Sequence, residues 1–223
     1  MLKSEKNHAT RSARHWLMQM RSLWMPLLVS ILVVACSAPS QVVDRDRCMA
    51  FEPDAAIAGC TAIIKSDQET PDHLAAAYFN RGLAYYNQRR YDVAIDDFDQ
   101  AIRLQPDAAP GSGQAISAAV IFDFRGNAYR HEGQYDRAIA DLDQALRLNP
   151  DAAEIFVDRG VAYSGGHQYD RAVQDYDRAI GLASNFALAF YNRGMALRAL
   201  GQQDRAAVDF AQARQLDPGL LPP

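Results

Sequence analysis

Four glycines stand in nearly the same company: FNRGLAY at Gly82, DFRGNAY at Gly126, VDRGVAY at Gly160 and YNRGMAL at Gly194. The last three follow one another at 34 residues, and the first gap is 44. Twelve residues beyond each glycine comes an alanine, Ala94, Ala138, Ala172 or Ala206. Four further on stand Phe98, Leu142, Tyr176 and Phe210, and three beyond those Ala101, Ala145, Ala179 and Ala213. Five more reach Pro106, Pro150, Ser184 and Pro218. A period held through four copies means one small unit used repeatedly. Glycine inside a helix costs about 0.8–1 kcal/mol relative to alanine. Bearing that cost in every copy implies close approach of two helices. Each unit reads as antiparallel helices A and B, each with one apolar stripe. One hairpin cannot cover its own apolar face, so the units must stack. The expected fold is all-α, a solenoid of antiparallel helix pairs in which the prolines stop helix B.

The pattern resembles the tetratricopeptide repeat, which places an aromatic residue, Gly, Tyr, Ala, Phe, Ala and Pro at these relative positions. The aromatic four residues before each glycine is Tyr78, Phe122, Phe156 or Phe190. The tyrosine three residues after it is Tyr85, Tyr129 or Tyr163, with Leu197 in the last unit. Four full repeats are expected at about 75–108, 119–152, 153–186 and 187–220, within a domain over 69–223. Residues 44–68, where PDAAIAGCTAII matches a helix B around Ala56 and Cys60, read as a degenerate N-terminal hairpin. An insertion at about 109–118 separates units one and two. Gly111, Ser112 and Gly113 suit a loop, with Gln114 onward lengthening the next helix A. That insertion is either a tolerated loop or a partner contact. Only GLLPP follows Pro218. The last unit is therefore expected either to have a polar outer face or to be covered by another copy or a partner.

A charge pattern runs with the repeat. Arg81, Arg125, Arg159 and Arg193 precede the glycines, where the usual repeat prefers an apolar residue. Asp97, Asp141, Asp175 and Asp209 lie sixteen residues after them on helix B. They read as partly buried Arg–Asp pairs between the helices, with an arginine-lined ligand site as the alternative. Asp92, Asp136, Asp170 and Asp204 favour the N-terminus of each helix B.

The N-terminal stretch reads as an address. Lys3, Lys6, Arg11, Arg14 and Arg21 face one acid, Glu5, ahead of an apolar run from Leu23 to Ala35. The run is shorter than the roughly 20 residues a membrane span needs. Val33-Val34-Ala35-Cys36 resembles the bacterial lipobox, in which the signal is cut before the cysteine and the cysteine is acylated. The expectation is a lipoprotein-type signal over 1–35, lipidation of Cys36 and a tether over 36–43. Ordinary secretory cleavage after Ala35 or Ala38 and a retained anchor are the alternatives, and Met18 or Met20 would give a more compact signal. Without residues 1–35 the chain keeps 18 basic and 26 acidic residues, with Lys65 its one lysine. That sign speaks against sequence-independent nucleic-acid binding, which needs a basic face. Once Cys36 is assigned, Cys48 and Cys60 remain as an even pair flanking the turn at Glu52-Pro53-Asp54. Export would let them form a disulfide; two buried free thiols are the other reading.

No catalytic constellation stands out. The five histidines share no metal-ligand spacing, and HExxH, GxSxG and P-loop patterns are missing from the sequence. Asp96-Asp97 and Asp141/Asp143 read as helix-surface acids, and Gly165-Gly166 as a turn. Neither an enzyme nor a metal or other cofactor is expected. The resemblance implies a ligand in a concave groove lined by helices A. By position that groove takes Phe79, Leu83, Tyr86, Asp123, Asn127, Arg130, Val157, Val161, Tyr191 and Met195. Some of these are expected to pack between adjacent helices A instead. Relatives that clamp a dicarboxylate use cationic residues where this chain has Phe79, Leu83, Phe124, Glu154 and Asp158. An apolar, mildly acidic groove suits an amphipathic helix or an extended apolar peptide with basic residues. The resemblance implies an envelope adaptor, an outer-membrane lipoprotein facing the periplasm or a soluble periplasmic protein. The alternative is a self-associating structural subunit of a membrane-associated assembly, joined through its last unit.

Overall fold

The computed structural model describes residues 43–66, 68–104 and 117–220. Lipidation at Cys36 and most of the 109–118 insertion fall outside them. The described residues form helices and turns, with no strand. A short helical segment, α1 (43–48), precedes α2 (Pro53–Ile64), α3 (Pro71–Asn87) and α4 (Tyr91–Leu104). Then come α5 (Ala118–His131), α6 (Tyr135–Leu148), α7 (Ala153–Gly165), α8 (Tyr169–Leu182), α9 (Ala187–Ala199) and α10 (Gln203–Leu216). Four hairpins, α3–α4 through α9–α10, stack in order, and helices A of adjacent units touch (α3 with α5, α5 with α7, α7 with α9). The core is correspondingly a row of clusters along the stack, one centred on Phe98 and Ile121, others on Leu142 and Tyr176.

Each repeat glycine makes room for the large residue of its own helix B. A Cβ on Gly82 would stand 2.8 Å from the Phe98 ring, on Gly160 2.6 Å from Tyr176 and on Gly194 2.8 Å from Phe210. In the N-terminal hairpin the contact is with backbone: a Cβ on Gly59 would lie 2.6 Å from the amide nitrogen of Cys48. There α1 lies so close to α2 that the Cα atoms of Cys48 and Cys60 are 4.5 Å apart, and the two sulfurs are bonded. Both cysteines are buried beside Ile63 and Ala77.

Three details bear on the expectations. First, α5 begins at Ala118 behind Ser117 at its N-cap, and residues 114–116 lie outside the described residues. The long helix A is α3, 17 residues from Pro71, where the Thr70 side chain accepts from the His73 amide. Second, proline is not required to stop helix B. α6, α8 and α10 all end on leucine, and the next residues (Asn149, Ala183, Asp217) take φ of −138°, −138° and −139°. Ser184 stands where the others have Pro150 and Pro218. Packing of the following helix A fixes the end at α8, where Leu182, Ala183 and Phe186 lie on the Tyr176 cluster. Third, the outer face of α10 is not polar throughout: Val208 is 68% exposed within the chain. At the positions by which α4, α6 and α8 receive the next unit (Ile95, Ile139, Val173; Asp99, Asp143, Asp177; Ile102, Leu146, Ile180), α10 carries Ala207, Ala211 and Arg214, all exposed.

Candidate functional site

The recurring arginines form a ladder along one side of the stack. Arg81 donates to Asp97 at 2.8 and 2.7 Å, Arg125 to Asp141 at 2.7 and 2.7 Å, Arg159 to Asp175 at 2.9 and 2.6 Å, and Arg193 to Asp209 at 2.8 and 2.7 Å. The third nitrogen reaches back to the preceding unit: Arg125 to Asp99, Arg159 to Asp143 and Arg193 to Asp177, at 2.5, 2.6 and 2.5 Å. Arg81 finds Thr61 of α2 there, at 3.1 Å. Each guanidinium also lies 5.4–5.5 Å from the ring four residues before the glycine. Asp97 and Asp141 are thus buried partners rather than surface acids, and Asp143 ties two units together. Burial pushes the Asp175 carboxyl upward against the opposing pull of Arg159, while the hydrogen bond to Asp175 chiefly raises Arg159. Every donor of the fork that reaches a carboxylate is spent inside the fold, so the ladder is structural.

The residues expected to line the groove divide into two groups. Phe79, Val157 and Asn127 are buried. The Phe79 ring sits 5.8 Å from Phe98 and 5.7 Å from Phe124, and Val157 joins the Tyr176 cluster. Asn127 donates to the carbonyl and the carboxylate of Asp123 at 3.2 and 3.1 Å and accepts from Arg130 at 3.2 Å. These three pack helices A together instead of facing a ligand. Leu83, Tyr86, Asp123, Arg130, Val161, Tyr191 and Met195 are partly exposed. Tyr86 meets Phe124, Tyr91 and His131 edge-on, with His131 stacked on Tyr91 at 4.5 Å. Tyr191 lies 5.8 Å from Phe210, and the Met195 sulfur accepts from Arg198 at 3.3 Å.

At the middle of this surface Asp123 of α5 meets Asp158 of α7. Burial, then the charge of Asp158, a hydrogen bond to it and the charge of Glu154 push the Asp123 carboxyl up to about 7. Burial also raises Asp158, against hydrogen bonds from Asn127 and Asp123 and the charge of Arg130. Two carboxyl groups in contact cannot both ionise cheaply, so the pair takes up one shared proton as pH falls through about 7. Asp158 and Glu154, which stand where dicarboxylate-clamping relatives have cationic residues, act on Asp123 and so belong to this surface. The signal available was an acid at 158 where the other units have Asn80, Phe124 and Asn192.

A second concavity lies at the N-terminal end, where Met49, Phe51 and Pro53 overhang Asn80, Leu83 and Asn87. Phe51 is fully exposed there. The double glycine serves packing: Gly165 leaves room for the Tyr135 ring, and the left-handed turn residue is His167, at φ 59°. No cluster of potential metal ligands occurs among the described residues.

Family models for the tetratricopeptide repeat match residues 75–108 and 187–220, and one for the TPR repeat matches 126–165. Among solved structures, MamA 41-end from Desulfovibrio magneticus RS-1 is 18% identical over 80% of this chain and 96% of its own, with a TM-score of 0.68. Another MamA structure is 22% identical over 74% and 89% of the two chains, at 0.63. YrrB, described as a TPR protein with an unusual peptide-binding site, is 20% identical over 81% and 86%, at 0.64. Likeness at this identity shows the fold. No curated protein sequence matches the chain significantly.

Proposed function

We propose, for a chain that belongs to the tetratricopeptide-repeat family and so is a scaffold for protein–protein interaction, that a peptide or helical segment lies along the inner face of α3, α5, α7 and α9. The observation carrying this reading is the set of partly exposed large side chains on three of the four helices A: Leu83 and Tyr86 on α3, Val161 on α7, and Tyr191 and Met195 on α9, with Asp123 and Arg130 of α5 between them. Apolar surface left open along a stack of helices suits an elongated partner. The YrrB structure, whose description includes a peptide-binding site on the same fold, supports it by analogy. The scaffold is non-catalytic in this reading, since its recurring charged side chains are engaged with one another.

The finer reading is an envelope adaptor tethered through Cys36, on the periplasmic side of the outer membrane. It is supported by the lipobox-like Val33-Val34-Ala35-Cys36 and by a cysteine pair suited to an oxidising compartment. No helix among the described residues is long and apolar enough to cross a membrane. Labelled palmitate should enter the wild type and not Cys36→Ser; absence of label from both rejects the anchor. For the binding surface, Tyr191→Ala should weaken capture of the partner from solubilised envelope at least about tenfold with helicity unchanged. Capture equal to wild type would place the partner elsewhere.

A further inference from the structure

Every acid that recurs along the ladder receives an arginine: Asp97, Asp141, Asp175 and Asp209 from their own unit, and Asp99, Asp143 and Asp177 from the next. Asp123 and Asp158 break that rule. Among the described residues no arginine hydrogen-bonds either of them. Arg130, whose charge acts on Asp158, gives its Nε to Asn127 and lies 3.1 Å from His131 through Nη2. Asn127 donates to Asp123 from below. Of the other groups that face the pair, Glu154 adds negative charge, while Tyr86 of α3 and Tyr176 of α8 are neutral phenols raised by burial. Arg193 of α9 is taken up by Asp177 and Asp209. Two carboxyl groups therefore meet between α5 and α7 without the arginine partner that each acid of the ladder has.

We infer that the segment held on the inner face places a lysine or arginine side chain between Asp123 and Asp158, with apolar side chains on either side of it. The inference rests on the inner-face reading above and adds the partner's chemistry to it. An ammonium or guanidinium carries enough donors to bond both carboxylates at once, which a single shared proton does through one hydrogen bond. Its arrival ionises Asp123, and the displaced proton leaves to solvent. Leu83 and Tyr86 on one side and Val161 and Tyr191 on the other supply the apolar flanks. The chain's own charge agrees, since the part beyond residue 35 is acidic by eight charges and attracts basic segments.

The test is selection from random dodecapeptides displayed on phage, followed by titration calorimetry of a selected peptide near pH 6.5. The peptides should share one basic residue between apolar ones. Norleucine in its place should weaken binding at least about tenfold. Binding heats in buffers of different ionisation enthalpy should report proton release that Asp123→Asn abolishes. Asp158→Asn, with circular dichroism confirming the fold, should bind the lysine and norleucine peptides about equally. Peptides that lack a basic residue, or tolerate norleucine without loss, yet are weakened by Tyr191→Ala, would overturn the charge assignment and leave the groove standing. Peptides indifferent to Tyr191→Ala, or none selected, would overturn both.

Discussion

Arg125 holds Asp141 of its own unit through two hydrogen bonds of 2.7 Å while its remaining nitrogen grips Asp99 of the unit before, at 2.5 Å. One side chain thus closes a hairpin and sets the register of the next. Asp141 is buried and Arg125 largely so, which makes loss of one partner costly. Arg125→Ala should destabilise by about 3 kcal/mol. Arg125→Lys should recover little, because a point charge cannot form the fork or lie against the Phe122 ring. Urea unfolding of the single and double variants checks this. Asp141→Ala added to Arg125→Ala should cost little more, and fully additive losses would mean that the two act separately.

Gly160 and Gly181 make a matched pair of helix glycines. A Cβ at 160 would press on the Tyr176 ring at 2.6 Å, whereas at 181 it meets nothing within 4 Å. Gly160→Ala should cost about 1–3 kcal/mol by overpacking, and Gly181→Ala should gain about 0.5–1 kcal/mol from helix propensity. Melting curves of the two variants should shift in opposite directions.

Stability should also depend on the Asp123 proton. Its carboxyl titrates near 3.8 when free and about 7 here. The native state therefore binds more protons between those values, so stability contributed by this group falls as pH rises through that window and levels off above it. His131 acts in the opposite sense: burial, with Arg130 and Arg89, lowers it, so its contribution is lost as pH falls below about 6.5. Urea midpoints between pH 5 and pH 8 should fall less steeply in Asp158→Asn, since the amide removes the repulsion that follows deprotonation. Identical profiles would show that the pair is not coupled.

The Cys48–Cys60 bond closes a short loop, worth about 3 kcal/mol in the chain-entropy model. Reduction should loosen α1 from α2 while units two to four stay folded, because a stacked array is held by nearest-neighbour contacts. Hydrogen exchange should rise at residues 43–64 and remain slow at 135–179; uniform protection in the reduced protein would contradict this.

The repeat was legible because its spacing answers a steric need that recurs: Gly82, Gly160 and Gly194 all face a ring. The Arg–Asp pairs were legible for the same reason. The second acid was not. Asp99, Asp143 and Asp177 recur too, but a recurring acid on helix B also fits a solvated face, and contact with the following unit depends on stacking geometry. The inner face was read least well. Phe79, Val157 and Asn127 hold groove positions by register but pack between helices A. Asp158 matters because Asp123 stands opposite it on another helix, a meeting that no spacing within one unit announces.

The central claim is that a partner lies on the inner face rather than against the end of the stack. The direct measurement is photo-crosslinking in intact envelope from a benzoylphenylalanine placed at Leu83, at Tyr191 or at Val208, the exposed residue on α10. Adducts to the same second polypeptide from positions 83 and 191, and none from 208, are the predicted result. Adducts from 208 alone would put the partner, or another copy of the chain, on the outer face of the last unit and contradict the account.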